Sequence, residues 1–388
     1  MQNTPRNDEY TTRGRPSVNT TPDRTDRTVG EVMAEWPMAR FNFRFSERTS
    51  LCIVLIVAIL SVALVLSLVL LISGRDTYFD FPSKPSKEES GGGVASEKGD
   101  FPYADGVSGN ILLPWADKVS IIPANSINAA HAALADLSTG EIIASRKADE
   151  MIYPASMTKV MTLIVVVENL PSEDCLKDEI TVSEAVYDAM KAEGSSGIGM
   201  DAGEKLTVES MLYALMLKSD GIAACELARY VAGSVEDFVE LMNQKAEKMG
   251  LSNTHFENPT GLHHPNHKST AREIASIMAY AMNMRLCRKV LLTQSYKAPC
   301  VGVDGAKFDY SLYHNLIVTQ FENIPVNQPD KVKVAAGKTG FTDESRFCLV
   351  TYAESADGHG YVCVTARGDS YNTCIADYIT IYNTYVNP

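Results

Sequence analysis

The strongest pattern along the chain is an unbroken apolar run. Residues 51–72 carry no charge over 22 positions, and only Ser61 and Ser67 interrupt them with hydroxyls. Wound as a helix, this run is roughly 33 Å long, enough to cross the hydrocarbon core of a bilayer. A cleaved signal peptide fits poorly. Residues 1–50 precede the run, it is too long, and no A-x-A-like site follows it. A single transmembrane helix at 51–72 is therefore expected. Residues 1–50 show almost no apolar periodicity before Val32 and mix eight Arg with seven acids, a composition expected of a disordered tail. Residues 73–114, with their SKPSKEESGGGVASEKGD stretch, are expected to form a linker.

From residue 115 the pattern turns globular. Apolar strand-like segments at 132–136 and 141–145 flank a Ser138-Thr139-Gly140 turn, the signature of a hairpin. Helix-like runs follow at 158–168 and 211–217, with helical periodicity at 236–249 and 271–284. Two further strand-like segments, 347–353 and 361–366, surround a turn at 357–360, and an amphipathic helix closes the chain at about 373–385. This order predicts one domain over 115–388, with an antiparallel sheet drawn from both ends and a helical insert between them.

Composition and charge narrow the classes. A hydrophobic content of 45% allows a sizeable core, while a net charge of -13 argues against general nucleic-acid binding. Arg40, Arg44 and Arg48 precede the apolar run, and Arg75 after it is offset by Asp76 and Asp80, although Lys84 and Lys87 follow. The positive-inside rule then places the tail in the cytoplasm and residues 115–388 outside. Seven cysteines follow the run, an odd number without CxxC spacing, expected as small buried residues rather than a disulfide framework or zinc cluster.

Candidate chemistry begins at Tyr153-Pro154-Ala155-Ser156-Met157-Thr158-Lys159. Pro154 suits the start of a helix, so Ser156 falls in a first turn and Lys159, three residues on, shares its face. A serine hydroxyl needs an adjacent base, and lysine serves only when burial and neighbouring positive charge depress its pKa. Alone, Ser-x-x-Lys is a weak signal. Two features strengthen it: Leu217-Lys218-Ser219-Asp220-Gly221 between helical runs, and Gly337-Lys338-Thr339-Gly340-Phe341 before the closing strands. Lys338 and Thr339 suit a carboxylate, and Gly340 allows close approach of backbone.

The ordered triplets resemble those of penicillin-binding proteins and class A β-lactamases. The segments 153–162, 258–271 and 337–344 are similar to the low-molecular-weight serine D-alanyl-D-alanine carboxypeptidases, a likeness covering nearly all of 130–385. That resemblance implies an α/β (α+β) fold of the β-lactamase/DD-peptidase type, with a five-stranded antiparallel sheet, flanking helices and a mostly helical subdomain. It implies Ser156 as acylated nucleophile, Lys159 as its base and Ser219 as proton relay. Lys338, Thr339 and Gly340 would hold the substrate carboxylate and backbone, with an oxyanion hole at the amides of Ser156 and Phe341. Expected partners are a peptidoglycan pentapeptide, β-lactam inhibitors and the membrane, with no metal, cofactor or nucleic acid.

The chain departs from that pattern at Gly221, where the family carries Asn. Loss of one hydrogen-bonding group of the transition state costs about 10²- to 10³-fold. A weakened sensor or scaffold is one alternative. A class A β-lactamase is another, but no Glu between Ser219 and Lys338 is followed by Asn four residues on, as that enzyme requires. His263, His264 and His267 are expected to be structural or solvated rather than metal ligands. Glu236 and Glu240 fit a solvated helix face.

Overall fold

The computed structural model describes residues 111–314 and 329–386. The expected tail, the apolar run at 51–72 and most of the linker lie outside these residues. Among the described residues no helix is long and apolar enough to cross a membrane.

The central sheet has six strands rather than the five expected. They are β1 (Trp115–Ile121), β2 (His131–Asp136), β3 (Glu141–Arg146), β10 (Val332–Thr342), β11 (Arg346–Ser355) and β12 (Gly360–Gly368), ordered β1-β3-β2-β12-β11-β10. Five are antiparallel, but β1 adds to β3 in parallel. Strands β2, β11 and β12 are apolar on both faces because the sheet is covered on both sides. The chain ends meet at mid-sheet, where Asp136 pairs with Tyr361 and Ala133 with Val364.

One face packs on the C-terminal helix Tyr371–Tyr385, whose Tyr378, Ile381 and Tyr382 are buried. The other carries a helical layer: α1 (Lys159–Glu168), α2 (Glu184–Ala192), α3 (Val208–Leu217), α4 (Gly221–Ala232), α5 (Val235–Lys248), α6 (Ala271–Asn283) and α7 (Arg285–Leu292). Nine of the ten residues of α1 are buried, so this helix is the axis of the core. Hydroxyl or carboxylate caps start α2 to α6: Ser183, Thr207, Asp220, Ser234 and Thr270 each accept a backbone N–H.

Beyond the helices lies a four-stranded sheet of short strands β5 (Glu179–Thr181) and β6 (Lys205–Thr207) with the hairpin β8 (Ser295–Val301) and β9 (Lys307–Tyr313). The pair β4 (Met151–Ile152) and β7 (Ser269–Thr270) leads the chain into the site. At the start of the described chain, Ile111 and Leu112 donate backbone N–H groups to Met249 O, and Leu113 N–H bonds Ser276 Oγ in the core. The seven described cysteines are free thiols, with Cys175 half-buried and the others buried.

Candidate active site

Ser156 stands on a single 3-10 turn, Ala155–Thr158, that runs straight into α1. Ala155 adopts a left-handed φ of 46°, so the backbone bends sharply just before Ser156. Two glycines allow this turn to be gripped. A Cβ at Gly261, where φ is +81°, would lie 2.0 Å from Ala155 O and 2.9 Å from Ser156 N. A Cβ at Gly340 would lie 3.0 Å from both Pro154 O and Ser156 N. The close approach that Gly340 permits is thus of the protein's own Pro154–Ser156 turn against edge strand β10.

Lys159 begins α1, is 2% exposed, and brings Nζ to 3.3 Å from Ser156 Oγ. It also donates to Thr260 O at 2.6 Å. Burial pushes the Lys159 amine down from 10.5 to about 8, a shift that the negative charge of Asp220 opposes. The Thr260 carbonyl is held by its own loop. Asn258 Oδ1 accepts the N–H groups of Thr260 and Gly261, and Thr162 Oγ1 donates to Pro259 O.

Ser219 follows α3 with a left-handed φ of 57° and is 8% exposed. Lys338 on β10 donates from Nζ to Ser219 Oγ at 2.9 Å and to Thr339 O at 2.8 Å. Burial, then the charge of Lys159, holds its amine well below the ordinary range. The structure therefore joins Ser156 to Lys159 and Ser219 to Lys338, and the electrostatic coupling of the lysines links the pairs. Thr339 is half-buried, while Phe341 is 45% exposed beside Phe347. The triplets, far apart in sequence, thus meet where the 3-10 turn, the α3–α4 junction and β10 converge.

Residues without an obvious motif complete the site. His267 is buried. Glu257 N–H donates to its Nδ1, which leaves Nε2 to face Thr158 Oγ1 at 2.8 Å. Burial brings this imidazole down to about 3, so it stays neutral and braces Thr158, the residue just before Lys159. His314 Nε2 lies 2.9 Å from Gly337 O, directly behind Lys338. Neither contact is announced by spacing in the sequence, because each joins segments over 20 residues apart.

Gly221 is buried at the first position of α4, where a Cβ would lie 2.0 Å from Ser195 Oγ and 3.0 Å from Met190 Sδ. The space that any side chain at 221 would take is filled by Ser195. Gly221→Asn should therefore lower stability by about 1–3 kcal/mol through overpacking. The double variant Gly221→Asn, Ser195→Gly should recover most of the loss. Thermal melts of the two proteins check this; equal melting temperatures for wild type and Gly221→Asn would count against the crowding seen here.

Chemically, the arrangement offers a half-buried hydroxyl beside a partly deprotonated amine, with a second buried lysine amine, depressed by burial, held on Ser219. Residues 118–365 match the Peptidase S11 family, D-alanyl-D-alanine carboxypeptidase. The chain is 31% identical over 231 residues to D-alanyl-D-alanine carboxypeptidase DacF of Bacillus subtilis, covering 59% of this chain and 55% of that one. It is 37% identical over 157 residues to D-alanyl-D-alanine carboxypeptidase DacC of Escherichia coli, covering 40% and 39%. The chain thus spans about half or less of the length of these curated relatives. The crystal structure of the Streptomyces K15 DD-transpeptidase superposes with a TM-score of 0.60 at 28% identity, covering 68% of this chain and 98% of that one.

Proposed function

Since the chain belongs to the Peptidase S11 family of D-alanyl-D-alanine carboxypeptidases, we propose that it is a serine-type carboxypeptidase that removes the terminal D-alanine of peptidoglycan stem peptides. The observation that carries this reading is the buried Lys159 amine 3.3 Å from Ser156 Oγ, lowered to about 8. Lys159 in its neutral form takes the Ser156 proton as Oγ attacks the carbonyl of the D-Ala-D-Ala bond. The backbone amides of Ser156 and Phe341 receive the oxyanion, and Ser219 passes a proton to the departing D-alanine amine. Lys338 and Thr339 hold the terminal carboxylate, whose charge relieves the repulsion between the two buried lysines. Water then hydrolyses the acyl-enzyme. A β-lactam, which acylates the same hydroxyl, stops at that stage.

The apolar run at 51–72 supports a single-pass membrane anchor, with the tail cytoplasmic and the catalytic domain outside. Such an arrangement sets the enzyme on the same side as cell-wall peptides. The name of the Streptomyces K15 neighbour, a DD-transpeptidase, supports a second outcome for the same acyl-enzyme, transfer to an amine in place of water.

The test is mass spectrometry of the protein after benzylpenicillin, with D-alanine release from a D-Ala-D-Ala peptide measured on the same sample. An adduct on Ser156 with free D-alanine is expected; an adduct without D-alanine favours the sensor reading and sinks the carboxypeptidase. The pH profile adds a sign. Lys159 acts only when neutral, so acylation should be full above about pH 8 and fall about tenfold per unit below it. Stopped-flow acylation across that range measures the midpoint.

A further inference from the structure

The residue beside the Gly221 departure is a carboxylate with no solvent contact. Asp220 is 0% exposed, and both of its oxygens are engaged by different segments. Oδ1 accepts the N–H of Ala223 at 2.8 Å and so caps α4, while Oδ2 accepts the N–H of Ile198 at 2.7 Å. Segment 195–198 is stitched to the same place a second time, because Gly221 N–H donates to Ser196 O at 2.9 Å. The fit is tight from the loop side, where a Cβ at Gly197 would lie 2.7 Å from Asp220 Oδ2.

A carboxylate buried in this way costs several kcal/mol unless a cation answers it. The backbone N–H groups of Ala223 and Ile198 answer it first, and the charge of Lys159 adds to them without a direct ion pair. Around Lys159 the titratable groups are Asp220 and Cys225 from α4, Lys338 from β10 and His267 from the loop before β7. Burial keeps the Cys225 thiol protonated, raised to about 12, and His267 is neutral. Asp220 is thus the one anion in this group. Both oxygens accept N–H groups, a demand that two carboxyl oxygens meet and an amide, with one oxygen, would not.

We propose that Asp220 is a positioning residue of the acylation step: it locks segment 196–198 onto the second triplet and supplies the counter-charge that Lys159 faces. It takes up part of the ordering that a side chain at 221 cannot give, from the neighbouring position and through backbone amides. The inference rests on the acyl-enzyme reading above, and the experiment separates the two.

Benzylpenicillin acylation is followed against pH for wild type, Asp220→Asn and Gly197→Ala, each with a melting curve. Removing the negative charge makes protonated Lys159 less stable, so Asp220→Asn should move the acid midpoint down by about half a pH unit or more. Its rate at the plateau should also fall, about tenfold, as the Ile198 bond is lost. Gly197→Ala presses on Oδ2 but keeps the charge, so it should slow acylation by a similar factor with the midpoint unmoved. A wild-type midpoint in Asp220→Asn, or a wild-type rate in Gly197→Ala, overturns the inference. Wild type that forms no Ser156 adduct at any pH refutes the acyl-enzyme reading itself, and the inference falls with it. Gly197→Ala carries the wild-type charge, so the clamp stays open to refutation even where Asp220→Asn is too unstable to assay.

Discussion

Replacing Lys159 by methionine should slow acylation of Ser156 by about 10³-fold or more, since nucleophile and base act as one unit. Methionine preserves most of the volume in a residue that is only 2% exposed, so the change is chiefly one of charge and proton transfer. The loss falls on the chemical step. Noncovalent binding should change far less, because Lys338 and Thr339 are untouched.

The same substitution has a stability signature with a definite sign. Thr260 O loses its donor, a loss of about 1–3 kcal/mol for a buried carbonyl left unpaired, and the Asp220 carboxylate loses the positive charge that opposes the effect of its burial. The Asp220 carboxyl already sits above its ordinary 3.8, driven up by burial. Native protein then binds more protons than unfolded chain above that value, so stability falls as pH rises through the interval. The methionine variant should accordingly regain stability on acidification, by more than wild type does. Melting curves at about pH 5 and pH 8 decide it, and a variant equally stable at both would show that Asp220 and Lys159 are not a working pair.

Gly261→Ala should be nearly as damaging without touching a reacting group. At φ +81° an alanine is strained by about 1–3 kcal/mol, and its Cβ would stand 2.0 Å from Ala155 O, a backbone atom that cannot rotate away. The Ala155–Ser156 turn must retreat by about 1 Å, a displacement of the kind that costs on the order of 10²-fold in rate. A combined stability loss of about 2–5 kcal/mol is expected. Penicillin acylation at wild-type rate in this variant would mean that the 258–262 loop does not set the position of Ser156.

The sequence makes the chemistry more legible than its support. Ser156, Lys159, Ser219, Lys338 and Thr339 each belong to a triplet of side chains, and the fold brings those triplets together. The partners of Lys159 were hidden for a physical reason: Thr260 contributes a carbonyl, which every residue owns, and Gly261 contributes the lack of a Cβ. Asp220 reads in sequence as a polar residue at a helix start, and only its burial separates a cap from a counter-charge.

The fold shows the same division. The hairpin of β2 and β3, the closing strands and the last helix follow their hydrophobic periodicity closely. Strand β1 does not, because a parallel edge strand with Trp115 and Ile121 exposed has no alternation to read. Strands β5 and β6 have three residues each, too short for any period, and Pro299 interrupts the run that becomes β8.

The meeting of β2 with β12 at mid-sheet also sets a timetable. Gly340, against which the Ser156 turn rests, leaves the ribosome 187 residues after Tyr153. At about 5–20 residues per second, that interval is on the order of 10–40 s of synthesis. Throughout it the nascent chain holds Ser156 and Lys159 but not the strand that seats them. The seat for Ser156 is completed only when strands β10 to β12 have been made, so until then the growing polypeptide carries an unarmed serine.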